Sequence, residues 1–142
     1  MKRIALMLLA AVAFLGTRQA GAQEFVVVVN ADCGVDQIST AELSKIFQKK
    51  VAKLPDGEAA KPVDQDKSSA VREAFSKAVH GRSAAQIESY WQQQIFSGKD
   101  VPPEKKKSDA EVLAFVKANL GAIGYVSAGS APSGVKVLKV VG

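Results

Sequence analysis

The 142 residues contain one cysteine, one histidine and one tryptophan. A lone cysteine, Cys33, excludes an internal disulfide. It is either a buried small hydrophobe or a thiol able to cross-link two chains. A lone histidine, His80, gives Cys33 no base at a recognisable spacing, and no zinc pattern appears. Aromatic residues make up 6% of the chain and do not interleave with the basic ones, which argues against a nucleic-acid platform. No G-x-S-x-G elbow and no phosphate-cradling P-loop are present. Asp64 and Asp66 could be read as a metal pair, but no further ligands stand at a matching spacing. The chain is therefore expected to be neither an enzyme nor a holder of a metal or cofactor.

Long apolar runs are also scarce. The one at the start, Ile4 to Leu15, is too short to span a bilayer comfortably. It follows Lys2 and Arg3 and precedes Ala20-Gly21-Ala22, an A-x-A cleavage pattern. Residues 1–22 are thus expected to be a cleaved export signal, with the periplasm as the address. Residues 23–142 remain as one domain, large enough for a single core. The formal net charge is +5, and Lys2, Arg3 and Arg18 leave with the signal. The small remaining excess gives little reason to expect nucleic acid or an acidic membrane as partner.

What is present reads as alternating strands and helices. Phe25 to Asn30 is a continuous β-branched run, as in a strand buried on both faces of a mainly parallel sheet. Ala31 to Ile38 reads as a loop. Ser39-Thr40-Ala41-Glu42 is a capping box opening a helix with Leu43, Ile46 and Phe47 on one face. Lys61 to Gln65 is a short strand. A helix follows from about Ser69 to Val79, with Val71, Phe75, Ala78 and Val79 on one face and His80-Gly81 at its end. Ser83 with Gln86, and Ser108 with Glu111, are two more capping boxes. The first opens a helix bearing Ile87, Tyr90, Trp91 and Ile95. The second opens one bearing Val112, Phe115, Val116 and Ala118. Ser97 to Lys107 between them reads as a loop, with Lys105 to Lys107 in solvent. Ala122 to Val126 and Val135 to Val141 are the last strands. This order suggests an α/β or α+β sandwich around one sheet, and the fold expected is an α/β domain with a central mixed sheet flanked by helices.

One helix start differs from the others. Three residues after Ser68 and Ser69 stand Val71 and Arg72, where the other starts carry glutamate or glutamine. A cation in the first turn opposes the helix dipole, and an outside anion would offset that cost. Ser68, Ser69, the first-turn amides and Arg72 thus form a candidate oxyanion pocket. The plainer reading makes Ser69 an N-cap and points Arg72 to water, Asp66 or Glu73.

Phe25 to Asn30, the segment Leu43-Ser44-Lys45-Ile46-Phe47 and the string Gly121-Ala122-Ile123-Gly124-Tyr125-Val126 carry a resemblance. Together with Val63 to Ala70, they resemble the second lobe of the periplasmic phosphate-binding proteins of ABC importers. That family's helix segment ends in I-F-x-G-K. The resemblance implies the type II periplasmic binding-protein fold, here as a single lobe, and solute capture. It places the ligand role on Asp66, Ser68, Ser69 and Ala70, with Arg72 added from the residue reading. The family's arginine after the strand is Asp64 here, its glycines are Lys67 and Ser69, and its threonine is Ala70. Phosphate or another small oxyanion is the expected ligand. An ABC permease or envelope protein is the expected partner, and a second copy could complete the cleft as a homodimer. The alternative is a ligand-free interaction or sensory module of the cell envelope with the same fold.

Overall fold

A computed structural model describes residues 24–130 and 132–142. The export signal expected over residues 1–22 lies outside them. Six strands form one mixed sheet: β1 (Phe25–Asn30), β2 (Gln37–Ser39), β3 (Lys61–Gln65), β4 (Glu104–Lys106), β5 (Ala122–Ser127) and β6 (Val135–Val141). Their spatial order is β2-β6-β1-β5-β3-β4. Four helices accompany them: α1 (Thr40–Phe47), α2 (Ala70–Phe75), α3 (Ala84–Phe96) and α4 (Asp109–Ala118). The expected α/β sheet with flanking helices is what the chain forms.

The parallel arrangement expected around β1 is corrected. β1 runs antiparallel to both neighbours, with Val27 opposite Tyr125 of β5 and Leu138 of β6. Parallel pairing occurs between β2 and β6, and where β3 meets β5 and β4. An apolar run reports burial on both faces, and a central strand between two helical layers is buried in either direction.

The pleat sends alternate valines to two cores. Val27 and Val29 join Leu43, Ile46, Phe47, Val71, Phe75 and Tyr125 on the α1 and α2 side. Val28 joins Val63, Val112, Val116 and Val126 on the α4 side. Asn30, at the end of β1, donates to the carbonyls of Val116 (3.0 Å) and Lys117 (3.1 Å), satisfying free acceptors at the end of α4.

All four helix starts are capped by the expected serines. Ser39, Ser69, Ser83 and Ser108 each accept from the amide three residues on. The full reciprocal box closes at Ser83, where Gln86 reaches back to the Ser83 amide at 2.9 Å. At Ser108 the acid turns elsewhere: Glu111 accepts from the Lys107 amide at 2.8 Å. Past Phe75 the backbone widens into a five-residue π-helical turn, Ser76–His80, ending at Gly81 in the left-handed region. Two segments expected to be loops contain the short edge strands β2 and β4.

Candidate functional site

The site expected from sequence lies where β3 runs out of the sheet. Val63, Asp64 and Gln65 are buried, and the chain then surfaces. Asp66, Lys67, Ser68 and Ala70 are exposed, and Ser69 is half-buried. The turn is closed by the Ser69 amide donating to the Asp66 carbonyl at 2.9 Å, and Asp66 is tied to β4 through the Lys106 carbonyl at 3.0 Å. Asp66, Ser68, Ser69 and Ala70 are thus brought together on one accessible turn.

Ser69 acts as the N-cap. Its hydroxyl oxygen accepts from the Arg72 amide at 3.4 Å, and its carbonyl accepts from the Glu73 amide at 3.2 Å. A helix start presents four amides without intrahelical partners. Of these four, the Ser69 amide is taken by the Asp66 carbonyl and the Arg72 amide by the Ser69 hydroxyl, and among the described residues the amides of Ala70 and Val71 have no hydrogen-bond partner.

Arg72 is not at the surface with them. It is 1% exposed and lies behind the turn. Its Nε stands 3.2 Å from Asp64 Oδ1, and its Nη1 donates to the Gln65 carbonyl (2.9 Å) and to Glu88 Oε1 (3.0 Å). Neither water nor Asp66 nor Glu73 takes it, contrary to the plainer sequence reading. The i+3 spacing directs Arg72 inward, and burial then requires carboxylate partners. Among the described residues its Nη2 is buried without a partner.

The acids around Arg72 feel opposing forces. Burial raises the Asp64 carboxyl above its ordinary range, against the pull of Arg72 and of a hydrogen bond from Tyr125. Tyr125 donates its phenol to Asp64 Oδ1. Burial, and next to it the Asp64 charge, push that phenol well above its ordinary value. For Glu88, burial also acts upward, yet Lys105 and Arg72 outweigh it and hold the carboxyl below its usual range. Lys105 reaches Glu88 from β4, so one of the three lysines expected in solvent belongs to this network.

Gln65 joins the pieces. Its side-chain amide donates to Asp109 Oδ1 (2.8 Å) and to the Tyr125 carbonyl (3.0 Å), and its Oε1 accepts from the Ser69 hydroxyl at 3.1 Å. Sequence reasoning missed Gln65, Glu88, Asp109 and Tyr125. For Tyr125 a signal existed. A hydroxyl within an otherwise apolar strand needs a buried partner, and Asp64 is the acid that β3 offers.

A second polar cluster sits apart from the turn. His80 Nδ1 lies 2.7 Å from Ser44 Oγ and 3.3 Å from Gln48 Nε2. Burial, with Arg72, Arg82 and Lys50 nearby, lowers His80 to about 4. The imidazole is therefore neutral at pH 7, and its Nδ1 shares a hydrogen-bonded cluster with Ser44 and Gln48, whose amide also donates to the Ser44 hydroxyl. Cys33 is buried, and its thiol meets Asp56 at 3.7 Å. That excludes the exposed bridging thiol and supports the small-hydrophobe reading.

Among the described residues no helix is long and apolar enough to cross a membrane. No curated protein sequence matches the chain. Solved structures do. A phosphate ABC transporter substrate-binding protein with bound phosphate, from Clostridium perfringens, aligns at 18% identity with a TM-score of 0.65, over 82% of this chain and 44% of that one. An ABC-type phosphate transport receptor from Vibrio cholerae aligns at 18% identity with a TM-score of 0.65, over 82% of this chain and 45% of that one. PstS from Borrelia burgdorferi gives 16% identity and a TM-score of 0.57, over 82% and 46%. At such identities the likeness is one of fold, and the chain spans less than half the length of each relative. A family model described as the PBP superfamily domain matches residues 13–140. With nearly the whole sequence matched, the chain belongs to the PBP superfamily domain family.

Proposed function

We propose that this chain is an exported, non-enzymatic solute-binding domain that takes a small oxyanion, phosphate first, at the turn from Asp66 to Ala70. One observation carries the reading. β3 ends in an accessible turn at the start of α2, where the amides of Ala70 and of the buried Val71 have no hydrogen-bond partner among the described residues, and the Arg72 guanidinium is buried behind it. Free amides at a helix start are donors suited to an anionic oxygen. Ser68 and Ser69 add hydroxyls, and Asp66 accepts a proton carried by the ligand. Arg72 supplies charge from behind the turn and holds the Gln65 carbonyl in place. The bound phosphate named for the Clostridium relative supports the choice of ligand. Residues 1–22 carry the chain to the periplasm, where an ABC permease is the partner that solute capture calls for.

Calorimetry with phosphate, sulfate and small carboxylates tests this. The purified protein is expected to release heat with phosphate, and Ser68→Ala to weaken it. Ala70→Pro is the sharper variant. Proline is tolerated at the first helical position, and Ser69 already has the extended backbone that precedes a proline. This variant deletes one donor while keeping the helix, so melting should change little and phosphate affinity should fall about tenfold, the size of one charge-assisted hydrogen bond. No heat from any anion at millimolar concentration would sink the reading.

One feature favours the rival, a ligand-free interaction module. α3 ends in Ile95 and Phe96, which are 52% and 96% exposed. An envelope partner docking there would lose affinity with Phe96→Ser and ignore Ala70→Pro.

A further inference from the structure

A hollow of about 230 Å³ lies beside the start of β3, at the opposite end of that strand from the Asp66 turn. Ile46 from α1, Val51, Ala60 and Pro62 give it an apolar lining. Its walls are fixed by the backbone. The Ala60 amide donates to the Ala52 carbonyl at 2.9 Å, and Lys53 and Ala59 pair as an antiparallel bridge. Two residues of opposite charge complete the lining, Lys49 and Asp100. They do not neutralise each other, because among the described residues neither joins an ion pair. Asp100 Oδ1 accepts from the Val101 amide at 2.8 Å, which steadies the carboxylate and leaves Oδ2 without a donor among the described residues. Lys49 is held at a φ of +56°, where a Cβ is unfavourable and glycine is the ordinary residue. Strain of this kind gathers at binding sites, where the side chain repays it.

We propose that this hollow binds a small zwitterion with an aliphatic group, of the chemical class of valine and leucine. Lys49 takes the carboxylate, Asp100 takes the ammonium, and the aliphatic group covers Ile46, Val51 and Pro62. A few placed polar groups around an apolar floor are what orient a small ligand. Contacts between charged partners are the strong ones, so they set the selectivity. A molecule with a single charge satisfies one of the two residues and leaves the other unmet. The hollow shares no residue with the oxyanion turn and stands or falls without it.

The test is an NMR titration of the purified protein with L-valine. The backbone amide signals of Lys49, Val51 and Ala52 should shift together and saturate at millimolar concentration, with those of Ser69 and Ala70 unmoved. Isovalerate and isobutylamine each keep the branched group and one of the two charges. Each should bind about tenfold more weakly, the size of one charge-assisted contact. Asp100→Asn should weaken L-valine by about the same factor and leave isovalerate unchanged. Lys49→Gly should also lose about tenfold for L-valine, and a melting curve taken alongside should show a fold at least as stable, which separates lost binding from unfolding. Unshifted Lys49, Val51 and Ala52 signals, isovalerate binding as tightly as L-valine, or L-valine binding unchanged in Lys49→Gly would each overturn the proposal.

Discussion

At the scale of single residues, Lys49 holds an unusual place. Its φ is +56°, the only non-glycine positive φ among the described residues. α1 ends there in a Schellman-type closure, with the Lys49 amide reaching the Ile46 carbonyl at 3.0 Å and the Lys50 amide reaching the Lys45 carbonyl at 2.8 Å. Glycine ordinarily fills this left-handed position, because a Cβ costs energy there. Lys49→Gly is therefore expected to stabilise the protein by about 1 kcal/mol, seen as a higher urea midpoint with an unchanged slope. The sequence offered a hint, since the I-F-x-G-K segment of the resembling family has glycine where Lys49 stands. Gly121 shows a different requirement. Its φ is ordinary, but a Cβ there would lie 1.9 Å from the Ala59 carbonyl oxygen, so close backbone approach is what demands glycine.

At the scale of elements, an ion chain rooted in the buried pair Asp64 and Arg72 binds four pieces of the fold. Asp64 on β3, Arg72 on α2, Glu88 on α3 and Lys105 on β4 form one chain of charge. Removing the arginine leaves Asp64 buried without its cation. Arg72→Ala is expected to cost about 3–5 kcal/mol, read by urea unfolding, and Asp64→Ala in the same protein should restore part of it. The helices that meet here were legible, because serine caps and 3.6-residue apolar spacing are local signals. The ion chain was not. Arg72 and Glu88 are sixteen residues apart, and only the packing of α3 against the π-helical turn brings them together. β2 and β4 were missed for a related reason. Gln37-Ile38-Ser39 and Glu104-Lys105-Lys106 are too short to show alternation, and they become strands because β6 and β3 offer them an edge. The outer end of α3 shows the reverse case. Ile95 was placed on the buried face by its spacing, yet α3 runs past the core and leaves Ile95 and Phe96 in solvent.

At the scale of the whole molecule, His80 makes stability depend on pH. Its folded pKa of about 4 lies below the ordinary 6.5. As pH falls below 6.5 the unfolded chain takes up a proton that the folded chain refuses. Stability from this group is full above pH 6.5, declines towards pH 4 and is then lost. Melting temperatures at pH 7.5, 5.5 and 4 should fall in that order, and His80→Gln should flatten the part of the decline between 6.5 and 4. The topology has a consequence of another kind. β1 is the first described strand, yet both of its sheet neighbours, β5 and β6, come from the far end of the chain. A ribosome making this chain must reach β5, beyond α1 to α4, before β1 has a sheet neighbour to pair with. Until then the valine run has no sheet to join, so the central pairing of the domain closes only over a long sequence separation, which slows folding.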